Sequence, residues 1–412
     1  MKGISKLSAL QNVRFRRLWI ARVISEFGAG ATLSTVLVGL TREGHGPSLL
    51  AINGLAQAVP AVALAWIGGG LVDRGNRRNV MVISDMTRGV AVLGYVVAFP
   101  LGPAAIFAVS AVQAAIGAFF GPASSALLGS VLVREERPAA MGLLQSGSMV
   151  ATVAGTGLGG VFAASASLVS FGFVVDSATF FAAAAIVMFL RVNEEERPPS
   201  GSLLAQAHEG VRFVRSEPVI LVTMLAVATT MISFSVINVS FAPLLLVQLQ
   251  ETSSWLGPLE AVFVGTAIVV GLMTGSLSLR LTHQQMFLIA LALFVIGVGG
   301  MALAPSIWAL LPTQVFTGAG QALVGVAATV MWQNRTPDRL RGRVFSLAQT
   351  VQSSATILGL VLVALVAAAV STRAVIGLAG ALLVLSLAIS AITFRIASRV
   401  RPADSSPLTK IR

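Results

Sequence analysis

The chain has 412 residues, of which 56% are hydrophobic and only 11% are charged. Soluble proteins carry roughly 25% charged residues, so this chain has too few polar side chains to cover a soluble domain. Its net charge of +12 would suggest nucleic-acid binding in a soluble protein. In a membrane protein the same excess is explained by basic residues in cytoplasmic loops. We therefore predict an all-α membrane protein without a nucleic-acid partner. The chain has no cysteine, which excludes disulfides and thiolate metal sites.

Apolar runs separated by charged clusters or by Gly and Pro predict twelve transmembrane helices. The N-terminal segment 1–17 is basic and polar, and we expect no cleavable signal peptide there. The boundary between the fifth and sixth spans is set at 163–167, within a run that carries no charge from Pro138 to Val175. The predicted spans are 18–41, 47–72, 79–99, 103–131, 139–163, 168–190, 218–248, 255–279, 284–304, 306–333, 344–371 and 374–396.

Basic residues concentrate on one side of these spans. The other side offers only Arg42 and Arg373. Because cytoplasmic loops are enriched in Lys and Arg, this asymmetry predicts that both termini are cytoplasmic. The basic side comprises Lys2, Lys6, Arg14, Arg16, Arg17, Arg74, Arg77, Arg78, Arg134, Arg137, the stretch 191–217, Arg280, the cluster 335–343 and the tail from Arg395.

The charged stretch at mid-chain divides the spans into six and six. We predict an N-terminal half at 1–190, a cytoplasmic linker at 191–217, a C-terminal half at 218–397 and a cytoplasmic tail at 398–412. Within the linker, residues 203–215 read as an amphipathic surface helix. The segments 133–146 and 336–349 share a charged turn before a span, which suggests an internal repeat. Two parallel six-helix halves are typical of transporters, with the substrate path at their interface.

The residues that enzymes need are missing. The only lysines are Lys2, Lys6 and Lys410, and none follows a Gly-rich phosphate loop. The histidines fall in loops or at span ends, so no catalytic or metal cluster is visible. We expect no catalytic residues, no metal and no cofactor.

One loop resembles a known family. Residues 69–78, Gly-Gly-Leu-Val-Asp-Arg-Gly-Asn-Arg-Arg, resemble the signature loop of the major facilitator superfamily, with Gly-Asn where the usual pattern has any residue followed by Gly. Segments 119–146 and 335–350 resemble its drug:proton antiporter branch, which includes macrolide and enterobactin exporters. The resemblance runs from residues 15–28 to the twelfth span and implies the twelve-helix major facilitator fold.

The signature loop implies a conformational latch. In the family this network stabilises the outward-open state, which assigns that role to Gly69, Asp73, Arg74, Arg77 and Arg78. Physically, a carboxylate in the loop can accept hydrogen bonds from a helix N-terminus in the other half. The alternative is that the basic residues only set the topology.

The fifth span carries a glycine motif. Gly155, Gly159 and Gly160 resemble the antiporter motif of the family, in which Pro stands where this chain has Thr156. The glycines allow a close approach of helices, whereas the kink expected from Pro is in doubt. Ordinary packing is the alternative interpretation.

Ionisable residues inside the predicted spans are candidates for proton coupling, because a charge in a membrane is costly. Arg22 and Glu26 lie four apart and share one face of the first span. Glu26 is the first candidate, with Arg22 tuning it; the alternative is an ion pair that aids insertion. Relatives in the branch tend to carry an acid a few residues later, where this chain reads Phe27-Gly28-Ala29-Gly30.

Three further acids lie in other spans. Asp85, three residues before Arg88, is a third possible coupling group, although pairing at the gate between the halves is the favoured interpretation. Asp176 in the sixth span is interpreted as structural. Glu260 in the eighth span has no obvious partner and is the second candidate for binding a proton or a cationic substrate.

Together these features predict a secondary transporter. The leading hypothesis is proton-coupled export of a hydrophobic or amphipathic small molecule, a drug or secondary metabolite, by a monomer in the bacterial inner membrane. The partners would be the substrate, protons and membrane lipid. A lipid or lysolipid flippase and an uptake symporter remain alternatives. The cavity is expected between the first, fourth, seventh and tenth spans, with Gln113, Asn238, Gln321 and Trp332 as polar candidates.

Overall fold

The structure is a computed structural model that describes residues 8–74, 76–120, 123–124, 127, 137–163, 166–190, 203–367 and 369–400. Within these ranges, long α-helices account for nearly all of the chain. The helices before the linker form the N-terminal set: α1 (Val13–Arg42), α2 (Pro47–Arg74), α3 (Arg77–Leu101), α4 (Pro103–Gly117), α5 (Arg137–Phe162) and α6 (Ala166–Met188).

A short helix, α7 (Leu203–Ser216), precedes the second group. The C-terminal set consists of α8 (Pro218–Pro243), α9 (Leu256–Leu277), α10 (His283–Leu303), α11 (Ile307–Arg335), α12 (Asp338–Val366) and α13 (Thr372–Val400). A π-helical turn, Leu244–Gln248, ends α8, and a 3₁₀ turn, Ser253–Trp255, leads into α9. The amphipathic helix predicted at 203–215 corresponds to α7.

The prediction of an all-helical membrane protein is confirmed at this level. Within the described residues, ten helices are long and apolar enough to cross a membrane: α1–α3, α6 and α8–α13. The shorter apolar helix α4 covers the start of the fourth predicted span, whose residues 121–122, 125–126 and 128–131 lie outside the described ranges. Large apolar side chains such as Leu101, Leu279, Leu303 and Leu365 are exposed on the outside of the bundle, where lipid would cover them.

Local sequence signals set several helix ends. Asn12 caps α1 by accepting from the backbone N–H groups of Arg14 and Phe15. Asn76 caps α3 in the same way, and Thr282 forms a capping box with Gln285 at the start of α10. Pro103 and Pro218 occupy first helical positions, where their missing N–H costs nothing.

The bundle has two ends. We name the end at which α1 begins the terminus side and the opposite end the far side. On the far side, Arg42 Nη1 donates to the carbonyl of Ala163 at 2.7 Å, and Arg373 Nη1 to that of Ala302 at 3.2 Å. On the terminus side, Arg17 Nη1 donates to the carbonyl of Phe189 at 2.9 Å. Each arginine satisfies a carbonyl at a helix C-terminus and complements the helix dipole.

Glycines on α5 bring its backbone against α1. A Cβ atom built on Gly155 would overlap the carbonyl oxygen of Phe27, and one on Gly159 would overlap that of Ala31. The hydroxyl of Thr35 on α1 reaches the carbonyl of Gly159 at 3.3 Å. This spacing leaves no room for a side chain, so α1 and α5 pack as a rigid pair.

The two sets touch each other on the far side. A Cβ atom on Gly257 of α9 would lie 2.6 Å from Gly157 Cα on α5. The hydroxyl of Ser253 donates to the carbonyl of Gly160 at 2.8 Å. Gly54 on α2 packs against the side chain of Leu360 on α12. These contacts close the far end of the space between the sets.

Helix α7 attaches to the C-terminal set. Val214 is buried, and Arg343 of α12 forms an ion pair with Glu209. Gly210 packs against the backbone of Arg343. The linker helix is therefore held on α12 by both apolar and ionic contacts.

Gly155→Val is expected to destabilise the protein, because the new side chain would force the backbones of α1 and α5 apart. Overpacking of this kind costs about 1–3 kcal/mol. The measurement is the thermal unfolding midpoint of the purified protein in detergent. Gly265→Ala is the matched control, since a Cβ atom at Gly265 meets nothing within 4 Å; an equal loss of stability in both variants would contradict the proposed packing role of Gly155.

Candidate substrate cavity

A cavity of about 300 Å³ lies between the two sets. We call it the central cavity. The N-terminal set contributes α1 and α5, and the C-terminal set contributes α8, α9, α10 and α11. The lining residues are Leu33, Ser34, Leu37, Thr152, Thr156, Phe234, Ile237, Asn238, Phe241, Ala242, Leu256, Glu260, Phe263, Phe294, Gln314 and Thr317.

Helical periodicity places these residues on the cavity wall. Phe234, Asn238 and Phe241 recur at i, i+4 and i+7 on α8, so they share one face. Phe234 and Phe263 stack with their ring centroids 6.0 Å apart. Gly318 lets α11 approach the backbone of α9 at Phe263, which brings Gln314, one turn earlier, next to the cavity. The wall is thus largely aromatic and aliphatic.

Most hydroxyl groups of the wall are already bonded. Ser34 donates to the carbonyl of Thr156 at 2.8 Å, Thr152 to that of Ser148 at 2.9 Å, and Thr317 to that of Thr313 at 2.9 Å. Such bonds to the backbone of the wall helices leave little hydroxyl capacity for a ligand. The polar groups with capacity left are the side chains of Thr156, Asn238, Glu260 and Gln314.

Glu260 is the one ionisable residue of the central cavity wall. It lies one turn into α9, and within the described chain no basic group pairs with it and no donor hydrogen-bonds to it. An acid without a partner in an apolar wall is costly. It therefore needs a bound proton, water or a cationic ligand to compensate its charge.

The four polar residues predicted for the cavity have different positions. Asn238 lines the central cavity. Gln113 lines a second cavity inside the N-terminal set. Trp332 is buried and donates its Nε1–H to the hydroxyl of Thr223 at 2.9 Å, while Gln321 is not among the lining residues of either cavity. Gln314 was not predicted, although a Gln within an apolar span is the same type of signal.

The candidate coupling residues Arg22 and Glu26 form an ion pair. Arg22 Nη2 lies 2.7 Å from Glu26 Oε1, and both side chains are partly exposed. The guanidinium also lies over the ring of Phe120 and within 3.4 Å of the Ser148 hydroxyl. Neither residue is among those that line the central cavity. A coupling role for Glu26 stays a prediction.

Asp85 and Arg88 form a looser pair inside the N-terminal set. Asp85 is fully buried, and its Oδ1 lies 3.8 Å from Arg88 Nη1. The guanidinium of Arg88 covers the ring of Phe180 at 4.2 Å. Asp85 faces the interior of its own set in these contacts, and a coupling role for Asp85 likewise stays a prediction.

The predicted latch is only partly visible. The surroundings of Gly69 and the side chains of Asp73 and Arg74 lie outside what the structure describes. Arg77 is buried at the start of α3, and Arg78 Nη2 donates to the carbonyl of Met188 at the end of α6. The contact of Arg78 therefore joins two helices of the same set.

The glycine motif has two functions in packing. Gly155 and Gly159 face α1, whereas Gly160 faces Ser253 of the other set. The residue in the motif's Pro position, Thr156, accepts the Ser34 hydrogen bond through its carbonyl and lines the central cavity. The motif thus lies at the meeting point of α1, the far-side contact and the cavity.

Two helical sets that enclose a central cavity within a membrane bundle define a secondary transporter. The chain belongs to the MFS_3 family of the major facilitator superfamily, described as "Transmembrane secretion effector", whose model matches residues 4–410. The family and its structural neighbours are transporters rather than enzymes.

Relatives named as multidrug transporters match at low identity. The multidrug efflux pump Tap of Mycolicibacterium fortuitum is 27% identical over 355 residues, which cover 81% of this chain and 85% of Tap. The multidrug resistance protein MdtG of Enterobacter lignolyticus is 25% identical over 315 residues, covering 74% and 73%. The uncharacterised transporter YfiS of Bacillus subtilis is 24% identical over 360 residues, covering 83% and 84%.

Solved structures share the fold at 12–15% identity. The nucleoside transporter NupG matches with a TM-score of 0.73 over 93% of this chain and 99% of its own. A bacterial homologue of the iron transporter ferroportin also gives 0.73, over 92% and 98%. A bacterial homologue of the lysosomal transporter Spinster gives 0.71 over 98% and 100%. At these identities the likeness shows the fold alone.

Tethering the far-side contact tests whether it opens during transport. A Cβ atom on Gly54 would lie 3.6 Å from Leu360 Cγ. In the double variant Gly54→Cys, Leu360→Cys, oxidation is expected to form a disulfide and to abolish transport. Reduction should restore it. The natural chain has no cysteine, so the two single variants are clean controls. Full transport by the oxidised double variant would show that this contact need not open.

Proposed function

We propose that the protein exports lipophilic or amphipathic small molecules, with a preference for cations, by proton-coupled alternating access. The observation that carries the proposal is the central cavity: an aromatic and aliphatic wall with one unpaired carboxylate, Glu260. Such a wall binds apolar surface without a fixed pattern of hydrogen bonds, and the carboxylate selects positive charge. The relatives named as multidrug transporters support export as the direction.

The orientation supports loading from the cytoplasm. The terminus side carries most of the arginines, so we place it, and both chain termini, in the cytoplasm of a bacterial inner membrane. Helices α1–α6 and α8–α13 then make twelve spans in two six-helix halves, which we expect to work as a monomer. With the far side closed at Gly54, Gly157 and Gly160, the central cavity would receive its substrate from the cytoplasm.

The rest of the cycle requires the far-side contact to open while the cytoplasmic side closes. The signature loop at 69–78, on the cytoplasmic side, is suited to hold that second state. The glycines of α5 suit the opposite role, because they let α5 meet α9 closely when the far side is shut. Proton binding by an acid of the bundle would supply the driving force, and one proton moving down 100 mV provides about 2.3 kcal/mol.

Glu260→Gln tests the cation preference. Tetraphenylphosphonium and the neutral triphenylphosphine oxide share three phenyl groups. Comparing their affinities therefore separates the contribution of the positive charge to binding from that of apolar contact. We expect the variant to bind the cation roughly 10-fold or more weakly, as expected for the loss of a charged partner in a dry site, and to bind the neutral compound almost as well. The measurements are equilibrium binding to purified protein and efflux from a pump-deficient bacterium with and without a protonophore.

Glu251→Gln serves as the control, because Glu251 lies in the loop before α9 and outside the central cavity wall. If the wild type and Glu260→Gln bind the cation with equal affinity, Glu260 does not take part in substrate recognition. Efflux by the wild type that a protonophore leaves unchanged would argue against proton coupling.

A further inference from the structure

We propose that the proton is carried at a site separate from the substrate, on Asp176 in a polar cavity inside the N-terminal set. This inference rests on the proposed proton-coupled export. The cavity, which we call the N-terminal cavity, has a volume of about 280 Å³. Its polar lining groups come from five helices and are Thr32, Gln57, Arg88, Tyr95, Gln113 and Asp176.

The carboxylate of Asp176, on α6, packs directly against α1. The residue is fully buried, and the Thr32 hydroxyl on α1 donates to its Oδ2. Thr179 Oγ1 donates to Oδ1 at 3.2 Å. A Cβ atom on Gly28 of α1 would overlap Oδ1. Only a glycine at position 28 leaves the carboxylate in this place, so α1 and Asp176 form one unit.

Charge balance and access to the cavity distinguish Asp176 from Asp85. Arg22 and Glu26 neutralise each other at 2.7 Å. Arg88 forms an ion pair with Asp85, with Oδ1 at 3.8 Å from Arg88 Nη1, although the Asp85 oxygens accept no hydrogen bond. Within the described chain no basic group forms an ion pair with Asp176, and Asp176 rather than Asp85 lines the N-terminal cavity. A buried carboxylate without a cation is costly, and a proton that arrives from the cavity removes the cost.

Within the described residues, few ionisable groups lie near this cluster. From α1 the ionisable residues near the cluster are Arg22 and Glu26, and from α3 they are Asp85, Arg88 and Tyr95. The described parts of α2 at 47–64, of α4 and of α5 at 139–162 contain no Asp, Glu, Lys, Arg or His, and Asp176 is the single ionisable residue of α6. Asp176 and Arg88 both line the N-terminal cavity, whose space and amides can hold the water that delivers a proton.

Protonation at Oδ2 would change the direction of one hydrogen bond. The ionised carboxylate only accepts, and the Thr32 hydroxyl donates to its Oδ2. When a proton binds at Oδ2, the acid gains an O–H group there, and the Thr32 hydroxyl can rotate to accept from it. The next residue, Leu33, lines both the N-terminal and the central cavity, and Ser34 donates to the carbonyl of Thr156. Helix α1 is therefore the physical link between the proton site and the substrate site.

Asp176→Asn tests the assignment, because Asn keeps the shape and can still accept from Thr32, yet cannot titrate. The first readout needs no substrate: infrared difference spectra of purified protein between acid and alkaline pH. We expect the band of a protonated carboxyl group to lose the contribution of one group in Asp176→Asn and to persist in Glu26→Gln and Asp85→Asn. Thr32→Val, which removes the hydroxyl at similar volume, should keep the band but displace its midpoint in pH.

The second readout is proton uptake or release when tetraphenylphosphonium binds in weakly buffered solution. Linkage requires the wild type to exchange a proton on binding if the two sites are coupled. In Asp176→Asn this proton exchange should fall to near zero, while tetraphenylphosphonium should still bind. An unchanged infrared band and unchanged proton exchange in Asp176→Asn would overturn the assignment, as would loss of the band in Glu26→Gln instead.

Failure of the proposed function gives a different pattern. A wild type that binds no tetraphenylphosphonium contradicts the cation exporter, while the infrared spectra still decide whether Asp176 titrates. If Asp176→Asn does not fold, Thr32→Val decides the matter: a carboxyl band with the wild-type midpoint in pH would contradict the role of Asp176.

Discussion

The structure depends on the cost of placing charge inside a lipid-facing bundle. Most charges of its described helices lie beside a partner: Arg22 pairs with Glu26, Arg88 lies 3.8 Å from Asp85, and Arg42 and Arg373 donate to helix C-terminal carbonyls. Within the described chain no basic group forms an ion pair with Glu260 or Asp176, although Asp176 accepts hydrogen bonds from Thr32 and Thr179. Both acids line cavities, where water, a proton or a ligand can reach them.

The second constraint is the close approach of helices through glycine. In the N-terminal set, Gly155 and Gly159 bind α5 to α1, and Gly28 admits the carboxylate of Asp176 against α1. Between the sets, Gly157 meets Gly257. At each of these contacts the backbones meet without an intervening side chain. In the N-terminal set this holds α1 and α5 together as one unit that carries both the cavity wall and the far-side contact.

The sequence predicted the helices well because length and apolarity decide membrane spans. Asn238 and Glu260, which stand out in the sequence as polar residues within the apolar runs of α8 and α9, both lie in the wall of the central cavity, and their roles stay predictions. It could not decide which turn of α11 faces the cavity: Gln321 was chosen, whereas Gln314, two turns earlier, is in the wall. The contact of Asp176 with Gly28 was not predictable, because it depends on how α6 packs on α1. No sequence pattern near either residue indicates that packing.

The position of the two acids on different sets limits how transport can be coupled. Glu260 belongs to the C-terminal set and Asp176 to the N-terminal set, with the Leu33 region of α1 between their cavities. A proton on Asp176 and a cation at Glu260 therefore do not compete for the same atoms. Any coupling between them must be conformational: each ligand changes the stability of one arrangement of the sets relative to the other. With conformational coupling of this kind, transport of a neutral substrate, which needs no carboxylate, would still be coupled to proton binding through α1.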